Sequence, residues 1–148
     1  MNNIEFVYIL KMLYKQTDIK MIELCSEANL LDVEVYDIMN PKSNNRIAKI
    51  LAFIKCLSCC LCIICQGKVA TIPTSEAFAK WLKQARSEKR YSQSKLGKLV
   101  GCYYTTIASI ENGKTIPTLN MLLKIIDVLE CDIQIMPIDK IETEPSTT

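Results

Sequence analysis

The strongest constraint on the fold is a correspondence between the two halves of the chain at a constant offset of 72 residues. Apolar positions keep this offset, with Val35 on Ile107 and Ile47 on Leu119. Identical residues also coincide without a gap: Phe6 on Phe78, Leu10 on Leu82, Lys11 on Lys83, Leu24 on Leu96, Ile38 on Ile110, Asn40 on Asn112, Leu51 on Leu123 and Cys59 on Cys131. Because repeated buried positions specify a repeated structure, the sequence predicts two copies of one helical unit related by an imperfect two-fold.

The offset also sets the expected domain organisation. The chain has 148 residues and 49% apolar residues, which is enough to give each half a core. We expect a first unit at 1–65, a linker at 66–73, a second unit at 74–137 and a flexible acidic tail at 138–148. The expected fold class is all-α, with two tandem helical bundles that are each followed by a short strand. The two strands are expected to pair as a two-stranded antiparallel sheet in a pseudo-dimer.

The small formal charge of +2 conceals an uneven distribution. Residues 1–66 hold seven basic and seven acidic side chains, whereas residues 67–137 hold ten and six. A polyanion would therefore bind the second half in preference to the first.

Eight cysteines would favour a disulfide framework in a small secreted protein. The start Met-Asn-Asn-Ile-Glu lacks the basic region and apolar core of a secretion signal, so we expect a cytoplasmic, reducing location and free thiols. The apolar stretch 47–65 is interrupted by Lys49 and Lys55, which favours a buried helix running into a strand over a membrane span.

Five of the cysteines are clustered, at Cys56, Cys59, Cys60, Cys62 and Cys65. They contain two C-x-x-C pairs that are only two residues apart, whereas a four-cysteine zinc site normally joins its pairs across a longer loop. The favoured interpretation is small buried hydrophobic side chains, and zinc binding and exposed redox-sensing thiols are the alternatives. No metal or cofactor is expected.

The second half has the pattern of a helix-turn-helix. An amphipathic helix from Ser75 to about Lys89 is followed by Ser92, which can cap a short helix over 93–100. Gly101 supplies a tight turn before a third helix over 103–111. A fourth apolar helix and an alternating strand over 132–136 complete the unit.

These residues resemble the lambda-repressor and Cro type of helix-turn-helix, often called the XRE family. The resemblance covers about residues 75–130 and is carried by Arg86, Tyr91-Ser-Gln-Ser-Lys-Leu-Gly97, Gly101, Ile107-Ala-Ser-Ile-Glu-Asn-Gly113 and Pro117. The strand Asp132-Ile-Gln-Ile-Met136 further resembles HipB-type antitoxin repressors, in which such strands pair across a dimer.

The resemblance implies a role for individual residues. It assigns contacts with the DNA backbone to Gln93, Asn112 and Lys114. It assigns base reading in the major groove to five residues of the third helix: Tyr103, Tyr104, Thr105, Thr106 and Ser109. The two tyrosines depart from the glutamine or serine common in the family, which leaves the preferred bases open. Packing of both tyrosines between the two units is the alternative.

Arg86 and Glu111 are interpreted as a structural ion pair. At the same offset the first half has Tyr14 and Met39, so both charges are replaced together by largely apolar side chains. A paired replacement is what a real contact predicts, because losing one partner of a buried pair is costly.

The first half carries acids where the second half would read DNA. Asp32, Glu34 and Asp37 occupy the positions of Tyr104, Thr106 and Ser109, and Met21 and Pro41 replace Gln93 and Gly113. Three carboxylates facing a polyanion would repel it, so we expect the first unit to be a scaffold that does not bind DNA. The acids either cap and solvate a short helix, with Asp32 as its N-cap, or bind a basic protein partner such as a toxin.

The preferred function is a sequence-specific DNA-binding transcriptional regulator, acting as a repressor that occupies promoter DNA. An antitoxin-like autoregulator is a subtype. One reading unit per chain implies a homo-oligomer, with two chains on one operator of double-stranded DNA. The alternative is a protein–protein interaction module that has kept the fold and lost DNA. An enzyme is not expected, because the chain has no histidine, no phosphate-binding glycine loop and no suitably spaced carboxylate pair.

Overall fold

The computed structural model describes residues 1–143, which form two helical units around a small sheet. The first unit contains α1 (Asn3–Gln16), α2 (Met21–Ala28), α3 (Asp32–Ile38), α4 (Ile47–Cys56) and β1 (Cys59–Cys65). After β2 (Lys68–Ile72), the second contains α5 (Ser75–Glu88), α6 (Gln93–Val100), α7 (Tyr104–Glu111), α8 (Leu119–Val128), β3 (Asp132–Pro137) and α9 (Ile138–Thr143). Each of α1 to α4 begins 72 residues before its counterpart among α5 to α8.

Side-chain caps fix where several helices begin. The Asn2 side chain accepts a hydrogen bond from the Glu5 N–H at 2.9 Å, and the Glu5 carboxylate accepts one from the Asn2 N–H. Thr74, Ser92 and Thr118 cap α5, α6 and α8 in the same way, from one side only. These contacts satisfy N–H groups that have no partner within a helix.

The fold is mixed α and β, so the all-α expectation is wrong. The sheet has three antiparallel strands in the order β2-β1-β3 instead of two. The extra strand lies in the expected linker 66–73, because Gln66 and Gly67 both adopt positive φ, 49° and 78°, and reverse the chain in two residues. Such a turn suits a tight hairpin, so Cys65 pairs with Lys68 and β2 continues along β1.

The expected flexible tail is in part a helix. Residues 138–143 form α9, and the Ile138 N–H donates to the Ser58 carbonyl at 3.0 Å. The remainder of the expected tail, residues 144–148, lies outside the described residues.

Two of the backbone contacts between the units are centred on residues 72 positions apart. In the β1–β3 ladder Cys62 lies opposite Gln134, and Arg46 forms an isolated bridge with Thr118. Around that bridge the Ile47 N–H donates to the Pro117 carbonyl at 2.9 Å, and the Leu119 N–H donates to the Asn45 carbonyl at 2.8 Å. Equivalent residues of the two units therefore exchange equivalent hydrogen bonds.

One hydrophobic core runs through both units. Phe53 and Ile63 of the first unit and Phe78 and Leu122 of the second belong to the same cluster of buried side chains. Within 1–141, no polar or charged residue is buried as a whole, with main chain and side chain taken together. No helix in that part of the chain combines the length and the apolar character needed to cross a bilayer.

The expectation that every cysteine is a free thiol is also wrong. Cys65 and Cys131 form a disulfide that closes a sequence separation of 66 residues. The ladder is responsible, because it pairs Ile64 with Asp132 and so makes the adjoining Cys65 and Cys131 neighbours, with their Cα atoms 4.7 Å apart. This distance lies within the range that a disulfide spans.

Candidate nucleic-acid interface

Helices α6 and α7 are held in close contact by a glycine. A Cβ atom on Gly97 would lie 2.8 Å from the Cys102 carbonyl oxygen and 3.3 Å from the Tyr104 backbone nitrogen. Gly101, with φ 92°, ends α6 in the left-handed conformation, and its N–H donates to the Gly97 carbonyl at 2.8 Å. The turn therefore requires a glycine at two positions, and the sequence pattern had supplied a reason only for Gly101.

The structure exposes most of the candidate base-reading side chains. Tyr103 precedes the first residue of α7 and is 81% exposed, and Tyr104 is 59% exposed. Thr105 is exposed, whereas Thr106 and Ser109 are half-buried. Neither tyrosine belongs to the core cluster or packs against it, so the exposure argues against the alternative in which they fill a contact between the units.

Two of the candidate phosphate-binding residues lie together at the end of α7. Asn112 is the C-cap residue, and its Oδ1 accepts a hydrogen bond from the Lys114 N–H at 3.1 Å. Both side chains are exposed. The side-chain amide of Asn112 and the ammonium of Lys114 are hydrogen-bond donors, which is the chemistry that a phosphate requires.

Gln93, the third candidate for phosphate binding, is tied to the ion pair. Its Nε2 donates to Glu111 Oε1 at 3.2 Å, which fixes the side chain at the start of α6. The sequence resemblance assigned Gln93 to DNA and Glu111 to the ion pair, and it did not show that the two residues are in contact.

Arg86 and Glu111 form a two-point contact between α5 and α7. Arg86 Nε lies 2.6 Å from Glu111 Oε2, and Arg86 Nη2 lies 2.9 Å from Oε1. Arg86 Nη1 also donates to the Tyr91 carbonyl at 2.8 Å. Hydrogen bonding to Glu111 raises the pKa of Arg86 above its ordinary value. The pair thus orients α7 on α5, while Gln93 connects it to α6.

The first unit uses apolar packing at the same place. Tyr14 and Met39 are half-buried and pack against the core, and the Tyr14 ring lies 6.2 Å from the Phe53 ring. These are the residues that fall on Arg86 and Glu111 at the offset of 72.

The acids of the first unit are engaged with their own neighbours. Glu34 pairs with Lys49, and this hydrogen bond, with a second from the Leu31 N–H, lowers the pKa of the Glu34 carboxyl. Asp37 accepts a hydrogen bond from Ser43 Oγ. Asp32 is the first residue of α3 and not its N-cap, which is Leu31, so that detail of the capping interpretation is wrong. The side chain that caps α3 is Glu34.

The face of α3 is apolar as well as acidic. Leu31, Val33 and Tyr36 are all exposed large hydrophobic residues. At the offset of 72 they correspond to Tyr103, Thr105 and Ala108. The charge pattern of the sequence identified the acids of this face and not its apolar side chains.

The clustered cysteines show no sign of activated thiols. Burial raises the pKa of the Cys56, Cys59 and Cys60 thiols, which disfavours the reactive thiolate. Cys62 is fully buried in β1, and Cys65 is in the disulfide. Over 1–143, no group of three or more histidine, cysteine or acidic residues is arranged to hold a metal ion.

Comparison with known proteins identifies a match to the Helix-turn-helix family over residues 82–136. Over 44 residues the chain is 46% identical to an uncharacterized HTH-type transcriptional regulator, YgzD, of Bacillus subtilis (strain 168). That alignment covers 30% of this chain and 67% of the relative. No solved structure matches the chain. The family match begins within α5 and ends within β3, so it contains α6, α7 and all the candidate DNA-contact residues.

Proposed function

Because this chain belongs to the Helix-turn-helix family, we propose that it is a sequence-specific DNA-binding transcriptional regulator. It acts as a repressor that occupies promoter DNA, and an antitoxin that represses its own promoter is one form of this activity. Helix α7 enters the major groove of the DNA, and the start of α6 contacts the backbone.

The observation that carries this proposal is the exposure of Tyr103, Tyr104 and Thr105 at the start of α7, with exposed Asn112 and Lys114 at its end. Tyrosine and threonine hydroxyls can donate to or accept from base edges, and the threonine methyl can contact the methyl of thymine. Thr106 and Ser109 extend this row from half-buried positions. The amide of Gln93, already held by Glu111, has a second hydrogen to donate to a phosphate.

We propose that the two units are tandem copies and that the first has become a scaffold for the second. The equal helix starts and the ladder centred on Cys62 and Gln134 support this duplication. The boundaries 1–65 and 74–137 then mark the copies, and the pair forms a covalent pseudo-dimer. In this arrangement β1 takes the place that a second chain's strand would take in a HipB-type dimer.

The experiment that tests DNA binding is sequencing of genomic fragments retained by the purified full chain, followed by electrophoretic shifts on the enriched site. We expect a common sequence and an affinity that falls steeply with salt. Tyr104→Ala, Thr105→Ala and Ser109→Ala should each change the preferred sequence, by about 1 to 3 kcal/mol for a good base contact. Equal weakening on every sequence would reassign that residue to the backbone. No retained DNA at any salt concentration would refute the proposal.

A second candidate function is a protein–protein interaction module that binds through the first unit. The specific observation in its favour is the mixed face of α3, where exposed Leu31, Val33 and Tyr36 alternate with acids. Such a face suits a basic protein with an apolar patch, such as a toxin. Tyr36→Ala would abolish binding of that partner while leaving DNA affinity unchanged. If the chain binds DNA and substitutions on the α3 face change the binding of no copurifying partner, this role is excluded.

A further inference from the structure

The solvent-facing side of α1 carries three large apolar side chains in a row. Ile4, Tyr8 and Met12 are 57%, 62% and 56% exposed. Residues four apart lie on one face of a helix, so the three form a continuous line, here called the α1 stripe. None of the three belongs to the hydrophobic core of the described residues or packs against that core.

The second unit shows that its own fold does not require such a stripe. At the offset of 72, Ile4, Tyr8 and Met12 correspond to Glu76, Lys80 and Gln84 of α5, which are polar and exposed. The inward faces of the two helices, in contrast, use identical residues, such as Phe6 and Phe78. Since polar residues serve at these positions in α5, the apolar ones in α1 indicate a contact outside the unit.

We propose that the α1 stripe is the surface through which two copies of this chain associate, with α1 antiparallel to α1 of the second copy. This inference rests on the proposed function. A chain with one reading unit contacts one half-site, and helix-turn-helix proteins reach two half-sites, about 34 Å apart, by pairing symmetrically. A second copy is therefore the partner that the function requires.

The stripe is suited to pair with itself. Ile4 and Met12 lie about 6 Å along the helix on either side of Tyr8. A two-fold axis at Tyr8 would place Ile4 against Met12 of the partner subunit, and the reverse contact would form at the other end. A two-fold interface requires this kind of self-complementarity.

Charge favours the antiparallel arrangement over the parallel one. Glu5 lies in the first turn of α1 and Lys15 in the last. Antiparallel helices bring the acidic end of one beside the basic end of the other, and they also bring together the opposite ends of the helix dipoles. A parallel pair would bring like charges together.

The interface between the two α1 helices is small, so we expect a weak dimer. Helix α1 has 14 residues and is therefore about 21 Å long. Two such helices bury less than the roughly 800 Å² per partner of a standard interface. We expect a reversible dimer in the micromolar range, which DNA with two half-sites would strengthen.

The test is sedimentation of the full chain without DNA, from below to well above micromolar concentrations. The variants Tyr8→Lys and Ile4→Glu introduce the residues that α5 has at these positions. Tyr8→Lys should raise the dimer dissociation constant at least about tenfold, because two ammonium groups would meet near the two-fold axis. Ile22→Ser is the matched control, since Ile22 is an exposed apolar residue of α2 and its α6 counterpart is Ser94.

The expected result is a wild-type dimer that both stripe variants weaken and Ile22→Ser does not. A wild-type chain that stays monomeric throughout, or a dimer unaffected by the stripe variants, would overturn the proposal. Equal weakening by Ile22→Ser would do so as well. If Tyr8→Lys unfolds, Met12→Gln supplies the same comparison. Because no DNA is present, absence of the dimer would leave the DNA-binding proposal standing. A chain that forms the dimer but binds no DNA would refute only the DNA-binding proposal.

Discussion

The contact between Arg86 and Glu111 allows a quantitative test of how the second unit is held together. The side chains are only 13% and 4% exposed and share two hydrogen bonds. Arg86→Ala would leave the Glu111 carboxylate buried with the Gln93 amide as its remaining described donor. Breaking one side of a buried pair typically costs about 3 to 5 kcal/mol, and we expect Arg86→Ala to lower the free energy of unfolding by that amount.

The first unit suggests the rescue. The double variant Arg86→Tyr with Glu111→Met introduces the two residues that the first unit has at the equivalent positions, Tyr14 and Met39. Replacing a buried ion pair by apolar side chains is often close to neutral. The double variant still loses two hydrogen bonds, from Arg86 to the Tyr91 carbonyl and from Gln93 to Glu111, which cost about 1 kcal/mol each. It should therefore be at least about 1 kcal/mol more stable than Arg86→Ala.

Urea unfolding followed by the fluorescence of Trp81, the single tryptophan, measures these free energies. The singles Arg86→Tyr and Glu111→Met complete the double-mutant cycle. A coupling energy below about 0.5 kcal/mol would mean that the two side chains act independently, and it would refute this explanation of the paired replacement.

Two further predictions concern the backbone and the disulfide. Gly97→Ala should lower the free energy of unfolding by about 1 to 3 kcal/mol, because the new Cβ would press on the Cys102 carbonyl. Cys25→Ala, at the equivalent position in α2, should lower it by less than about 1 kcal/mol in the same assay. Equal losses in the two variants would contradict the close approach of α6 to the Cys102 carbonyl as the cause. Reduction of the Cys65–Cys131 disulfide should lower the free energy of unfolding by up to about 4 kcal/mol, because the disulfide closes a loop of 66 residues. Cys131→Ser should show this lower stability without reductant and should not respond to reductant. A wild-type chain whose stability is insensitive to reductant would contradict a stabilising disulfide.

The helices were predictable because their sequence signals are local. Apolar residues at helical spacing, Ser92 as an N-cap and Gly101 as a terminator all lie within a few residues of the boundaries that they set. The family assignment of the second unit, read from Tyr91 to Gly113, is confirmed by the match over 82–136. The contact of Arg86 with Glu111 could be predicted because the first unit lacks both charges at the equivalent positions.

The sheet was harder to predict, because its strands depend on contacts between distant residues. Lys68–Ile72 contains only five residues, and its hairpin signal was limited to Gly67. The disulfide depended on the ladder register, since the offset of 72 relates Cys131 to Cys59 while the antiparallel pairing places it beside Cys65. The requirement at Gly97 likewise follows from the distance to the Cys102 carbonyl, which no local pattern encodes.

We propose that the second unit binds DNA and that the first does not, and one lysine in each unit tests this difference. Lys114 and Lys42 are both exposed, are 72 residues apart, and have backbone N–H groups that donate to Asn112 and Asn40 respectively. The measurement is DNA affinity as a function of salt for Lys114→Ala and Lys42→Ala. We expect Lys114→Ala to weaken DNA binding and to lower the salt slope by about 1, and we expect Lys42→Ala to match the wild type. A loss in Lys42→Ala equal to or larger than that in Lys114→Ala would contradict it.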